Sequence, residues 1–458
     1  MRNQVSDKST VPKEVQQFLA RTPRPEFIEA FMVDINGMPR GKRIPLRELP
    51  QVYEKGMLLP RSIPLVNISG DDVEATGQVS DTGDRDTFCY PVPGSLRPVP
   101  WNRRPSGQVL LHMSSMDGRP FEGDPRTHLD RAVKRLAKLG LTAVMACEME
   151  FYLFAPDLNE RGEPVIPRIC SEPGARTQLL SFSKLEALDE LITEIARACE
   201  EQNLPMADVS VEQSEGMFEI TLTHVDDPML AADHAVLLKR TIKGCARRHG
   251  LIASFMAKPF GDRAGCGMHV HMSVLDAAGQ NIFAAGDGYS PQLEHAVAGL
   301  LATLVDSTAV FAPHANSYRR YQLASHAPTT LTWGLDNRTT ALRIPLSDPA
   351  ATRVEHRVAG ADSNPYLVLA ALLCAIELGL SRQLRPPPPT KGNAYIQLAT
   401  HIPDAWGEAL KHFERSDFIR DCFGKNYQAW FTACKRQERE HLRGIVPPSE
   451  YDLYLQTV

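Results

Sequence analysis

Residues 141–154, LTAVMACEMEFYLF, constrain the fold more than any other stretch of this 458-residue chain. Apolar residues recur at every second position, the period of a strand whose side chains alternate between faces. Met145, Cys147, Met149, Phe151 and Leu153 make one apolar face. Glu148 and Glu150 share the other, their Cα atoms about 6–7 Å apart at two strand rises. Such a strand packs one side on a core. Its two carboxylates are either a solvated face or a functional pair.

Three further segments carry charge in patterns of the same kind. In VSVEQSEGMFEITL, a hairpin turn at Glu215-Gly216 makes Ser214 oppose Met217 and Glu212 oppose Glu219. Opposed carboxylates repel, and a divalent cation between them removes that cost. The alternative is a loop with two unrelated glutamates. In GCGMHVHMSV, His269 and His271 share a strand face, a pattern of metal or phosphate sites and also of chance. In RVEHR, Arg353, Glu355 and Arg357 fall on one face, with Arg319-Arg320, Asp336-Asn337-Arg338 and Arg343 upstream. The flanking ALRIP and AGADSNPYLVLAALL read as core. Arginines converging in a core need anionic partners, because unpaired buried charge is costly.

Five glutamates, a histidine pair and several arginines form one chemical set. Glutamate oxygens favour hard cations such as Mg²⁺ or Mn²⁺. Metals with arginines are the apparatus of phosphoryl transfer. No GxxxxGK[ST] motif and no kinase glycine loop occurs. The formal charge of −5 gives no general reason to bind nucleic acid or an anionic membrane. Nine scattered cysteines form no CxxC pair, which fits a reducing compartment. The first residues lack the apolar run of a signal peptide. The stretch 366–380 is too short to span a bilayer and contains Glu377, so a cytoplasmic protein is expected.

Two units are expected. Residues 26–35 alternate as a strand, with Phe27, Phe31, Val33 and Ile35 on one side, and Asn36-Gly37 turns the chain back into RGKRIPL. Residues 60–105 are rich in Pro, Gly and Asp. This predicts a β-rich unit over 1–120. Asp124-Pro125 then opens a helix, and the remainder, 121–458, alternates helices and strands. Helices are predicted near 182–202, 227–249, 291–306, 404–414 and 425–442, with an apolar one after Asn364-Pro365. The fold class is α+β.

The ordered motifs EMEFYLF, E…GMFE, KPFGDRAGCGMHVHMS, NSYRR, DNR, ALRIP, RVEHRVAGADSNPY and SDF…EY resemble the glutamine synthetase family, from about Phe31 to Tyr454. The resemblance implies an N-terminal β-grasp domain followed by the catalytic αβ domain. It implies one Mg²⁺ or Mn²⁺ on Glu150, Glu212 and Glu219, and another on Glu148, His269 and Glu355. Arg320, Arg357 and Gly265 match positions that hold glutamate. Arg338, Arg343, Arg353, His271 and Ser273 match positions around ATP, with Arg338 serving phosphoryl transfer. Family members stack two hexameric rings into a dodecamer, each active site lying between neighbours.

The departures from the family pattern concern ammonium. Where glutamine synthetases carry an ammonium-binding aspartate, this chain has Leu59 or Pro60. Where a second carboxylate sits on the flap, it has His326, either a base for the incoming amine or a pocket-lining residue. Ala264 and Met217 replace the family's Asn and Gln. The pattern is similar to the branch that ligates glutamate to organic amines, the γ-glutamylpolyamine and γ-glutamylputrescine synthetases. A glutamate–amine ligase of amine catabolism is therefore expected, with Leu59, Pro60 and His326 about the amine. The alternatives are an ordinary glutamine synthetase, a structural or regulatory family member without activity and, more remotely, a guanidino kinase.

Overall fold

The computed structural model describes residues 11–170, 179–286, 288–323 and 325–458. Strands β1 (Phe27–Val33) and β2 (Pro39–Pro45) form the hairpin expected around Asn36-Gly37. The Asp34 carboxylate accepts the backbone N–H groups of Asn36 and Met38, each at 2.9 Å, and so fixes the turn. With β3 (Met57–Pro60), β4 (Asp86–Pro91), β5 (Arg97–Pro98) and β6 (Ser106–Met113) they build a six-stranded sheet. Its order is β2-β1-β6-β4-β3, and β5 pairs with β6.

Strand alternation divides this sheet between two cores. Ile28, Ala30, Met32, Val109 and Leu111 pack into a small N-terminal core. Phe31, Val33, Ile35 and Leu110 turn the other way and join the main core. The expected Phe31–Val33–Ile35 face is therefore the one that docks the sheet onto the rest of the molecule.

The main sheet has eight strands: β7 (Thr142–Phe154), β8 (Met206–Val211), β9 (Met217–Leu222), β10 (Ile252–Ser254), β11 (Met268–Leu275), β14 (Trp333–Leu335), β15 (Leu342–Ile344) and β16 (Val354–His356). The numbers β12 (Ala284–Ala285) and β13 (Gly288–Tyr289) belong to a separate two-stranded pair. The order β14-β15-β16-β11-β7-β9-β8 puts the glutamate strand at the centre, and β10 extends its far end. The α+β content agrees with the sequence.

Helices cover one face of this sheet. Asp124, Asp227 and Asn364 cap the helices Pro125–Ala137, Pro228–Arg248 and Pro365–Arg382 through side-chain oxygens, each ahead of a proline in the first turn. The helix expected over 182–202 is two, Phe182–Ala187 and Asp189–Glu201, broken at Leu188. The helices Pro291–Phe311 and Pro365–Arg382 are apolar enough to span a membrane, but 72% of each apolar window is buried inside the fold. They cross at glycines. A Cβ on Gly299 would lie 2.1 Å from the Ala375 carbonyl oxygen, and one on Gly379 would lie 2.1 Å from that of His295.

Candidate active site

The polar face of the main sheet floors a cavity of about 680 Å³. Glu148 and Glu150 point into it from β7, as alternation requires, while Cys147, Met149 and Phe151 are buried in the core. Register then assembles the rest. His269 lies opposite Glu148, and Glu219 opposite Glu150, on the two strands flanking β7. On β16, Glu355 is opposite His271 on one side and Arg343 on the other.

The expected opposition of Glu212 to Glu219 is corrected by the structure. Ser210 faces Glu219 on β8, and Glu212 bonds through its N–H to the Met217 carbonyl at 2.9 Å. The turn is Ser214–Met217, closed by Met217 N–H to Ser214 O at 3.0 Å, with Gly216 at φ +74°. The turn itself falls at Glu215-Gly216 as expected, but Glu212 bonds with Met217, so the connection holds the four residues 213–216 and each strand partner moves by two residues. The opposed carboxylates are Glu150 and Glu219 instead, and Glu212 still lines the cavity.

The histidines bridge the acids. Glu148 meets His271 Nε2 at 2.8 Å through Oε1 and His269 Nδ1 at 3.3 Å through Oε2. Nδ1 of His269 also lies 4.0 Å from carboxylate oxygens of Glu219 and Glu355. Two groups, Glu148–His271–Glu355 and Glu148–Glu219–His269, bring their ligand atoms within 4.8 Å of one another. Glu150 and Glu212 stand beside these groups; one Glu150 oxygen accepts the N–H of Gly267. Gly267 is a site residue that sequence reasoning missed. A Cβ there would sit 2.6 Å from Arg320 Nη2 and 2.9 Å from His269 Nε2. His224 and Asp208 line the cavity too and gave no recognisable pattern.

Burial and the neighbouring acids divide the glutamates into two electrostatic kinds. Burial, then Glu150, pushes the Glu212 carboxyl up to about 7. Burial and the charges of Glu150, Glu148 and Glu212 push Glu219 up to about 10. For Glu148, burial acts upward, but the hydrogen bonds and charges of His269 and His271 outweigh it and hold the group well below the usual range. For Glu355, Arg357 and the two histidines overcome burial and hold it at about 2. Glu212 and Glu219 are thus acids short of cationic partners, the condition a bound cation relieves.

The arginines form the opposite wall. Arg343 donates to Glu355 at 2.8 Å and to Asp336 at 2.6 Å. Arg357 donates to Glu355, and its buried Nε has no partner. Arg320 is anchored on the Val358 carbonyl at 2.8 Å, and Arg353 Nε meets His271 Nδ1 at 3.1 Å. Arg338 lines the cavity and makes no ion pair among the described residues. Gly265, Ala264, Met217 and His326 also line it. His326, at φ +61°, sits 3.0 Å through Nε2 from Gln213 Nε2, which donates to it.

Three of the expected positions lie elsewhere. Ser273 is on β11 opposite Val144, on the histidine face but outside the cavity lining. Leu59 and Pro60 lie on β3, paired with Thr87 and Asp86. The Leu59 side chain is packed into the N-terminal core at 3% exposure, so neither residue forms an amine pocket within its own chain. The neighbouring Leu58, 44% exposed, points the other way.

A sheet face with crowded glutamates, bridging histidines and a wall of arginines defines a phosphoryl-transfer or ligase site. The family model for the glutamine synthetase catalytic domain matches residues 122–454, and the chain belongs to the glutamine synthetase family. It is 36% identical over 451 residues to γ-glutamylputrescine synthetase PuuA of Escherichia coli, covering 98% of this chain and 95% of that protein. It is 33% identical over 414 residues to γ-glutamylethanolamide synthetase GlnA4 of Streptomyces coelicolor, covering 88% and 87%. Among solved structures, a GmaS/ADP complex superposes with a TM-score of 0.81 at 28% identity, covering 94% of this chain and 97% of that one.

Proposed function

We propose that this chain is an ATP-dependent ligase that joins the γ-carboxylate of glutamate to an organic amine. The observation that carries the reading is the crowding of Glu148, Glu150, Glu212 and Glu219 on one sheet face beneath Arg338, Arg343 and Arg357. The kinship to ligases named for putrescine and ethanolamide products supports the choice of acceptor.

The donor set fits two hard cations, Mg²⁺ or Mn²⁺. Glu150, Glu212 and Glu219 would hold one, and Glu148, His269 and Glu355 the other. When bound, such cations neutralise phosphate oxygens. The protein's own groups do the rest. Arg320 and the unpartnered Nε of Arg357 receive the substrate carboxylate, with Gly265 leaving its backbone open to it. Arg343, Arg353, His271 and Ser273 surround the nucleotide, and Arg338 stabilises charge on the phosphoryl group as it passes from ATP to the γ-carboxylate. The amine nitrogen then attacks the γ-carbonyl carbon of the γ-glutamyl phosphate, and phosphate leaves. The protonated amine first gives up a proton, and His326, which lines the cavity, takes it.

The same reading treats residues 1–120 as a β-grasp domain and 121–458 as the catalytic domain. It assembles twelve copies as two stacked rings of six, in the cytoplasm, with no nucleic acid or membrane partner. In that assembly β3 of a neighbour, with Leu59 and Pro60, borders the amine side of each cavity.

The test is an acceptor panel. Ammonium, putrescine, spermidine, spermine, ethanolamine, ethylamine and phenethylamine are each supplied with ATP, glutamate and Mg²⁺. Phosphate release and the γ-glutamylamide product are measured. Phosphate release with no amine, or with ammonium alone, would sink the reading.

A further inference from the structure

A second cavity, of about 750 Å³, lies between the β1–β2 hairpin and the helix Pro228–Arg248. It shares no lining residue with the ligase cavity. Its walls carry six cationic side chains, Lys42, Arg43, Lys239, Arg240, Lys243 and Arg247, against the carboxylates Glu29 and Asp362. The concentration is local, since the chain as a whole carries −5.

Of the two carboxylates, Glu29 is taken up by arginines, while Asp362, with one buried oxygen unpartnered among the described residues, acts on Lys239 only from beyond ion-pair distance. Glu29 is paired with Arg43 at 2.7 Å and with Arg240. Asp362 accepts a hydrogen bond from Ser317 at 2.6 Å. Lys239, Lys243 and Arg247 stand at i, i+4 and i+8 on one helix face and make no ion pair among the described residues. The ammonium groups of Lys239 and Lys243 each lie 5.6 Å from the centre of the same Phe255 ring, which gathers them at one place. Among the described residues Lys239 has the Ser363 carbonyl, at 3.1 Å, as its hydrogen-bond acceptor. Burial, followed by the charge of Lys243, lowers Lys239 to about 7. Cations held together in a cleft at that cost are stabilised by an anion.

We propose that this cleft binds a small multivalent anion, a phosphorylated or polycarboxylate metabolite, through Lys239, Lys243 and Arg247. A cavity of about 750 Å³ fits a compact molecule with several negative groups rather than a chain. The Asn364 side chain ties helix Pro365–Arg382 to the Asp34 carbonyl at 2.8 Å beside the same hairpin. An anion in the cleft would brace the junction between the N-terminal sheet and the main body.

The full-length assembled protein is titrated calorimetrically, metal-free and at low salt, with pyrophosphate and separately with citrate. Wild type is compared with Lys243→Gln/Arg247→Gln, with the exposed single variant Arg247→Gln, and with Arg343→Gln as a control in the ligase cavity. At least one probe is expected to bind with Kd of about 1 mM or tighter. The double variant should weaken that binding at least tenfold and Arg247→Gln about threefold, while Arg343→Gln leaves it within twofold. Binding of pyrophosphate alone assigns a phosphorylated ligand, citrate alone a polycarboxylate, and both a site read by charge. Failure of both probes to bind overturns the proposal. So does unchanged binding in the double variant or, should that variant not fold, in Arg247→Gln.

Discussion

At the scale of single residues, the site is a set of acids that the metal-free protein holds at a cost. Glu219 lies directly opposite Glu150, and its carboxyl is raised to about 10. A carboxyl raised on folding keeps its proton longer in the folded than in the unfolded chain, so its penalty grows as pH rises from about 4.5 toward the folded value. Glu219→Gln removes that penalty. The metal-free variant should melt higher than wild type, by the equivalent of about 1 kcal/mol or more, and the gain should widen between pH 5 and 8. Ligation should fall at least a hundredfold. A lower melting temperature across that range would mean that Glu219 is paired in the free protein. Glu212, raised to about 7, gives the companion prediction. A cation held by Glu212 and Glu219 must displace both their protons, so the apparent Mg²⁺ affinity should rise with pH, more steeply below 7, where both carboxyls are protonated, than between 7 and 10. In Glu212→Gln the affinity should be weak and the steeper part of this rise, below pH 7, should be lost, as followed by calorimetry. These acids were legible in the sequence because strand alternation fixes which side chains share a face. Gly267 was not, because its role is to leave room for Arg320 and His269, which come from distant segments.

At the scale of elements, caps and prolines announced two of the helices, and Asp124 and Asn364 perform the capping their positions suggested, while Asp227 caps a third helix in the same way. The β8–β9 hairpin was misread in register and not in the place of its turn, because residue type locates Glu215-Gly216 but does not fix how many residues the connection holds. Ser214 O receives Met217 N–H, and the partner of Glu219 on β8 becomes Ser210. The split at Leu188 was hidden because both halves keep the same apolar spacing. Packing between the two apolar helices supplies the prediction at this level. Gly299 has no room for a methyl group beside the Ala375 carbonyl, and backbone on both sides limits relief. Gly299→Ala should destabilise the fold by about 1–3 kcal/mol, as overpacking does, with the midpoint of urea unfolding shifted down and the acceptor preference unchanged. A neutral result would show that the helices can slide apart.

At the scale of the whole molecule, none of the described residues of the N-terminal sheet lines the cavity of its own chain. Pairing of distant strands brings the glutamates, histidines and arginines onto one face, whereas on the proposed reading the acceptor side depends on what covers the cavity beside His326. The sequence therefore reads clearly for chemistry and poorly for acceptor, since Leu59 is core in its own subunit. The discriminating step is still a matter of physical chemistry. Ammonium is held by charge and hydrogen bonds alone, and on the proposed reading Leu59 or Pro60 and His326 stand where the family has acids. An alkylamine instead gains about 0.8 kcal/mol for each CH₂ it buries. Four methylenes contribute about 3 kcal/mol, roughly two hundredfold in affinity before ordering costs. The best amine should therefore exceed ammonium at least tenfold in kcat/KM. His326→Glu should narrow that gap from the ammonium side by returning one acid to the mouth, with the glutamate KM unchanged. If wild type uses ammonium as well as every amine offered, the apolar replacements do not select the acceptor, and ordinary glutamine synthesis is the reaction.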